Sequence, residues 1–358
     1  MQIDIGFEKV ETILHVADIH IRNFKRHKEY RQVFRKLYKE AKSLPKHSLI
    51  YVAGDIVHTK TDISPELVEL TSEFFRKLAD IRPTIVITGN HDANLNNSSR
   101  LDALSPIIDN LAHPNLHYLK NSGIYRVCNI DFIVMSVFDD PKDFPDASSA
   151  KNIKIGLHHG PVHNSVTDIG YVVNNESLKQ SVFTGCDLVL LGDIHKRQYL
   201  DKGKTIAYAG SLIQQNFGET FENHGYMTWD MNTLKGKFHD IINDYGYYTV
   251  NMIDGVLPNI DNIPKYPRLR IKTTNTTQAE VKQAIVEIRK KSKVQDVIII
   301  KTDRLANISN NSKSAIEITK DIRDSNYQNE LISDYLERNY DLDSELLNRV
   351  RKINRSLN

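Results

Sequence analysis

Residues 84–92 read Thr-Ile-Val-Ile-Thr-Gly-Asn-His-Asp: a β-favouring run, a glycine that lets the chain turn, then Asn90, His91 and Asp92, side chains able to ligate metal or move protons. The same order of parts occurs three more times. One apolar run ends in Asp18 and His20 (residues 13–20), another in Gly54, Asp55 and His58 (residues 49–58), and a third in Gly192, Asp193 and His195 (residues 188–195). A fifth run, residues 153–160, ends in His158, His159 and Gly160. Strands that stop and hand over carboxylate and imidazole groups are building a site, so the expectation is five strand ends converging on one pocket.

The donors are carboxylate, imidazole and one amide oxygen, with no sulfur. Such a set suits manganese, iron, magnesium or zinc in a shell of oxygen and nitrogen. Seven candidates are too many for one tetrahedral ion, so two ions are expected, with a carboxylate such as Asp55 bridging them through its two oxygens. Two divalent cations about 3.5–4 Å apart acidify a shared water and hold a phosphoryl group for in-line attack. His91, next to Asn90, is then placed to protonate the leaving oxygen or to steady the developing negative charge. The chemistry this points to is hydrolysis of a phosphate ester. A lone Asp-x-His pair is most often incidental; the ordered set Asp-x-His, Gly-Asp, Gly-Asn-His-Asp, His and Gly-x-x-His carries the reading.

The elements that must position these groups follow from the pattern around them. After His20 comes a basic stretch with Arg22, Lys25, Arg26, Lys28, Arg31, Arg35, Lys36 and Lys39. Its apolar members, among them Tyr30, Val33, Phe34 and Leu37, fall near helical spacing and predict a helix with one buried face. Either its charges are a solvated surface, or Arg22, Lys25 and Arg26 contact phosphates beside the site. Ser64-Pro65-Glu66 reads as a helix start, followed by Leu67, Leu70, Phe74, Phe75 and Leu78; a second helix is expected at about residues 100–111. The apolar faces of these two helices pack on the sheet or meet a second copy of the chain. Residues 116–137 and 203–230 read as β structure. Strands and helices alternating first, with a β-rich second half, suggest a layered sheet sandwich flanked by helices.

Composition shifts near residue 250. A strand near 268–273, a capping box at Thr277-Gln-Ala-Glu280 and a strand at 294–300 predict a small βαβ unit with no cluster of ligands. Residues 306–329 read as a polar linker. Residues 330–358 read as an amphipathic helical tail suited to a partner's groove. The expected domains are thus 1–250, 251–305, the linker and the tail.

With 358 residues the chain is long enough for two domains. A net charge of +2 and a pI near 8.3 are too mild to name a partner. Cys128 and Cys186 are far apart, which argues against a disulfide framework or a thiolate zinc site and fits a reducing compartment. The amino-terminal residues lack a basic region followed by an apolar one, and no apolar run approaches the roughly 18 residues of a membrane span. The expectation is a cytosolic protein that does not engage membranes.

The ordered motif set resembles the calcineurin-like metallophosphoesterase superfamily over roughly residues 11 to 250, an α/β (α+β) fold of four layers around a β-sandwich. Within it the chain looks like the double-strand-break-repair nucleases of the meiotic recombination eleven type, and most like the phage recombination endonuclease subunit. That narrower likeness rests on Gly54-Asp55-Ile-Val-His58 followed by Ser64-Pro65, on Gly-Asn-His-Asp rather than Gly-Asn-His-Glu, and on a βαβ capping domain followed by a helical tail. The resemblance implies that Asp18, His20, Asp55 and His195 surround one ion and that Asp55, Asn90, His158 and Asp193 surround the other. His158 is chosen over His159 because the family motif places its ligand two residues before the glycine, and strand alternation lets only one of the pair face inward. His91 would be the catalytic acid or transition-state stabiliser, and His58 a second histidine oriented toward site and substrate. Many members have Gly-His-x-His where this chain has Gly192-Asp193-Ile-His195; an aspartate still ligates while lowering the positive charge of the centre.

The resemblance further implies a DNA exo- and endonuclease using two divalent ions, manganese first, with magnesium, iron or zinc as alternatives. It implies a homodimer through the helices near 65–111 and an SMC-like coiled-coil ATPase held by the tail, in the cytoplasm, or the host cytoplasm for a phage-encoded chain. Two other readings stand beside this one: a phosphatase or small-nucleotide phosphodiesterase of the same superfamily, and a non-catalytic scaffold.

Overall fold

The structure is a computed structural model that describes residues 1–97 and 99–302. In chain order its first half runs β1 Gln2–Ile3, β2 Thr12–Val16, α1 His27–Ser43, β3 Ser48–Val52, α2 Pro65–Ile81, β4 Thr84–Val86, α3 Ser105–Leu111 and β5 Leu116–Tyr118. There follow β6 Gly123–Val127, β7 Ile130–Met135, β8 Ile153–His159, β9 Leu188–Gly192, β10 Gln198–Tyr199, β11 Ile206–Tyr208, β12 Gly225–Asp230 and β13 Lys235–Asp240. The last elements are β14 Tyr245–Ile253, β15 Tyr266–Thr274, α4 Gln278–Lys291 and β16 Asp296–Lys301.

Two sheets face each other. One has the order β13-β12-β2-β3-β4-β5, the other β1-β6-β7-β8-β9-β11-β10. The site strands β2, β3 and β4 are parallel neighbours in the first, and β8 and β9 in the second. Strands buried on both faces need apolar side chains on both, which is why β3 and β9 read as unbroken apolar runs rather than alternating ones. Ile13, Leu49, Tyr51 and Ile85 from one sheet meet Phe132, Ile155, Leu157 and Leu190 from the other in the central core, with Trp229 fully buried among them.

The outer face of the six-stranded sheet is covered by α1, α2 and α3. Val33, Phe34, Leu37, Leu70, Phe74 and Leu78 bury against Leu14, Val16, Ile50 and Val52. The α2 start is as the sequence implies: Ser64 accepts the Leu67 N–H (3.3 Å) and Pro65 opens the helix. The apolar face of α2 is spent on this core, and among the described residues Ile63, Leu95 and Leu101 are the large apolar side chains left exposed nearby. Over the seven-stranded sheet the fourth layer is built from 3-10 turns and loops carrying Ala147, Leu178 and Phe183 instead of α-helices. The second expected helix is shorter than its periodicity suggests, because Asp102 accepts the N–H groups of Leu104 and Ser105 and Pro106 then starts α3.

The strand-helix-strand unit of the carboxyl-terminal region is present with one more strand than expected. β14 pairs with β15 in parallel over nine residues, giving the order β14-β15-β16, so the expected boundary at 250 falls inside β14. Thr277 and Glu280 form the capping box of α4. Glu29 on α1 ties this unit to the sandwich: its carboxylate is fully buried and accepts from Arg26 (2.9 Å), Arg268 (2.8 Å) and Asn243 (2.8 Å). The linker at 306–329 and the tail at 330–358 lie outside the described residues.

Candidate metal centre

Each site strand stops and the next residues curl inward. Asp18 (φ 52°), His20 (φ 50°), Asp55 (φ 52°) and Asp193 (φ 101°) all occupy the left-handed region, which costs a non-glycine residue about 1 kcal/mol or more and collects at functional sites. Neighbouring turns hold one another in place. The His20 N–H donates to the Asp55 carbonyl (2.9 Å) and the Asp193 N–H to the Asp18 carboxylate (3.0 Å). Gly54 sits at φ 82°, and a side chain there would run into the His159 ring at 2.7 Å and the Gly89 backbone, so the β3 and β4 turns approach as closely as they do only because both are glycines.

Asp92 is the pin of this layer. Its carboxylate points away from the pocket and accepts the N–H groups of Ile56, Val57 and Gly89, all at 2.9 Å. Its role is to fix the Asp55 and Asn90 turns against each other.

Within the pocket, the two oxygens of Asp55 face two different groups. Oδ2 lies 3.4 Å from His20 Nε2, and Oδ1 lies 3.3 Å from His159 Nε2. On the first side, His20 Nε2 is 3.0 Å from His195 Nε2, and Asp18, His20 and His195 present ligand atoms within 4.8 Å of one another. On the second, Asn90 Oδ1 is 3.2 Å and Asp193 Oδ1 3.8 Å from His159 Nε2, and Asp18, Asp55 and His159 converge in the same way. A third convergence joins His20 to His58 and His91. The structure therefore brings together Asp18, His20, Asp55, His58, Asn90, His91, Asp193 and His195.

His158 is a correction. Its Nδ1–H donates to the Met135 carbonyl (2.7 Å) and its ring packs near Phe144 and Phe183, on the wall of the cavity beside the centre; His159 takes the position against Asp55. The reason is the period of two along β8. Ile155 and Leu157 point into the central core, so the next residue in phase is His159. The alternation Ile153, Ile155, Leu157 is visible in the sequence and outweighs the distance to the glycine.

Arg26 is a second correction. Its side chain is 3% exposed, paired with Glu29 and hydrogen-bonded to the Gln214 carbonyl (2.7 Å), so it holds the fold and is closed to phosphates. Arg22 is half-buried and Lys25 exposed.

Glu219 belongs to none of the sequence motifs. Its carboxylate is buried, accepts from His195 Nδ1 (2.8 Å), the Gln215 N–H (2.6 Å) and Asn216 (2.7 Å), and so turns His195 Nε2 toward His20. His159 is oriented likewise by the Ala53 carbonyl (2.6 Å) and His91 by the His58 carbonyl (2.6 Å). An imidazole whose Nδ1–H is committed to a fixed acceptor offers Nε2 as its free donor atom.

The electrostatics fit cations. Burial pushes the Asp18 carboxyl up to about 7. Burial alone would lower His159 and His195, yet Asp55 and its fellow carboxylates lift His159 well above the usual histidine range, and the Glu219 hydrogen bond lifts His195 to about 9. Burial keeps His20 and His58 below the usual histidine range, so the negative potential is strongest around His159 and His195, beside the carboxylates. With oxygen and nitrogen donors alone and one carboxylate facing both sides, the residues fit two divalent ions: Asp18, His20, Asp55 and His195 for one, Asp55, Asn90, His159 and Asp193 for the other. Such ions supply Lewis acidity and an acidified water for attack on phosphorus. The protein's own part is to hold these donors rigid and to present His91, ring edge against His20 at 4.8 Å and Nδ1 fixed, with Nε2 able to serve a leaving oxygen. A cavity of about 250 Å³ opens beside Asn90, His159 and Asp193 and leaves room for a substrate.

Comparison with known proteins agrees with this geometry. The chain is 45% identical over 316 residues to "Uncharacterized protein R555" of Acanthamoeba polyphaga mimivirus, which covers 85% of this chain and 23% of that protein. It is 25% identical over 253 residues to a subunit of the nuclease SbcCD of Staphylococcus saprophyticus, 62% of this chain and 66% of that one. It is 26% identical over 178 residues to "Putative phosphoesterase 244L" of Invertebrate iridescent virus 6, 48% and 60% respectively. The chain thus spans less than a quarter of the length of the mimivirus relative. No helix among the described residues is long and apolar enough to cross a membrane. Residues 11–197, which contain every residue of the pocket named above except Glu219, match the calcineurin-like phosphoesterase family, and the chain belongs to that family of metal-dependent phosphoesterases.

Proposed function

We propose that the protein is a dinuclear-metal phosphodiesterase that cleaves DNA, the nuclease subunit of a recombination or repair assembly. The observation that carries the phosphodiesterase chemistry is the Asp55 carboxylate, one oxygen toward His20 and the other toward His159. The nuclease specificity takes its support from the similarity to a protein named as a nuclease subunit. Manganese is the first metal to try, given the mixed carboxylate and imidazole donors.

The test is cleavage of linear duplex and single-stranded DNA with manganese, set beside small phosphate monoesters. DNA degradation that is lost in His91→Ala while metal stays bound supports the reading. Rapid turnover of small phosphoesters with no action on DNA makes the protein a phosphatase or small-nucleotide phosphodiesterase instead, and failure to bind any metal makes it a scaffold. Binding of a coiled-coil ATPase through 330–358 belongs to the same proposal. A pulldown with and without those residues checks it. A homodimer through 65–111 would have to use Leu95, Leu101 and polar helix faces, since the α2 apolar stripe is already buried.

A further inference from the structure

Beside the pocket, His58, Thr59, Lys60, Thr61, Asn90 and His91 line a cleft of about 360 Å³. Its walls are imidazoles, hydroxyls, an amide and one ammonium, with no carboxylate. Lys60 Nζ donates to the Asn90 carbonyl (3.1 Å), which uses one of its three donors. Among the described residues no carboxylate lies within ion-pair distance of it. The acid nearest in sequence, Asp62, accepts from Asn23 (2.7 Å). The turn is built, not loose: the His58 N–H donates to the Ile21 carbonyl (3.0 Å) and the Asp62 N–H to the Thr59 carbonyl (3.3 Å).

Arg22 follows Ile21, whose carbonyl accepts the His58 N–H (3.0 Å), and so stands near His58. It donates to the Gln215 carbonyl (3.2 Å), and it too lacks a carboxylate partner among the described residues. Arg26 is neutralised by Glu29 and Arg31 by Glu69 and Glu73, while Lys25 points to solvent. Lys60 in the cleft and Arg22 near His58, each without a carboxylate partner among the described residues, suit an anion.

We propose that this cleft is a phosphate subsite, in which Lys60, with the Thr59 and Thr61 hydroxyls, seats the phosphate next to the one hydrolysed. The matched substrate is then a polynucleotide and not a compound with a single phosphate. This deepens the phosphodiesterase reading above and rests on it. A charge-assisted contact of this kind favours the oligomer by about tenfold.

The experiment compares wild type, Lys60→Ala and Lys60→Arg on bis(p-nitrophenyl) phosphate and on a decathymidylate, with binding of a fluorescent decathymidylate followed by anisotropy at several salt concentrations and metal withheld. The expected result is that Lys60→Ala loses about tenfold more kcat/KM on the decanucleotide than on the single-phosphate diester. It also binds the oligomer more weakly with a salt slope shallower by about 0.7, and Lys60→Arg retains most of the preference. Equal losses on both substrates would mean that Lys60 acts only through the Asn90 carbonyl, and would overturn the proposal. If wild type cleaves the diester but no nucleic acid, the nuclease reading fails on its own; equal anisotropy for wild type and Lys60→Ala then removes the subsite as well, while weaker binding by the variant upholds it.

Discussion

His159 Nε2 lies 3.3 Å from Asp55 Oδ1, while the same ring is anchored through Nδ1 to the Ala53 carbonyl on the neighbouring sheet. His158, one residue earlier, shares none of these contacts. His159→Ala should therefore lower metal affinity by more than the roughly 10–100-fold that an outer partner of a ligand is worth, and abolish turnover. His158→Asn should keep its metal and lose stability only. Metal content after dialysis, together with turnover, separates the two.

Glu219 supplies the next expectation. With its carboxylate replaced in Glu219→Gln, His195 loses a charged acceptor and its fixed ring orientation. Metal affinity at that side should fall by about 10–100-fold, with a smaller change in melting temperature. Titration calorimetry with manganese reads this directly, and an unchanged affinity would make Glu219 a part of its loop alone.

Glu29 joins the sandwich to the three-stranded unit by meeting Arg26 and Arg268 at once. Glu29→Ala leaves two guanidinium groups facing each other in a buried space, and should cost about 3–5 kcal/mol in urea unfolding. A loss under about 1 kcal/mol, the scale of an exposed pair, would show that the junction relaxes or admits water.

His15 lies under the site, fully buried, with Nε2 at 3.1 Å from the Leu191 carbonyl, and burial holds it down to about 3 from an ordinary 6.5. The unfolded chain takes up this proton near 6.5 and the folded chain does not, so stability from this group is complete above 6.5 and is lost as pH falls toward 3. The loss approaches about 1.4 kcal/mol per pH unit. Urea midpoints from about pH 7 to about pH 5, the upper part of that window, should fall for wild type. They should fall less steeply for His15→Gln, whatever its stability at neutral pH.

Much of the pocket is legible in the sequence alone. Runs of apolar residues ending in Gly, Asp and His state both a buried parallel strand and what it delivers, and parallel neighbours place those ends on one edge. The parts that are not legible are those set by tertiary contact. Glu219 lies 24 residues beyond the histidine it orients and belongs to no motif. The engagement of Arg26 with Glu29 shows only when α1 meets the carboxyl-terminal unit, since three residues of spacing in a basic stretch do not reveal burial. The His158 expectation fails for a different reason: strand phase is written in the sequence, and it overrides a motif distance. β14 is hard to recognise as part of the accessory sheet because its partner β15 begins more than a dozen residues later, and half of its side chains are only partly buried.

The central claim is that one carboxylate, Asp55, is shared by two cation sites. Equilibrium dialysis against manganese with elemental analysis tests it most directly. The account predicts two ions per wild-type chain and depletion of both in Asp55→Ala. A single ion per chain, or two ions kept by the folded Asp55→Ala variant, would contradict it.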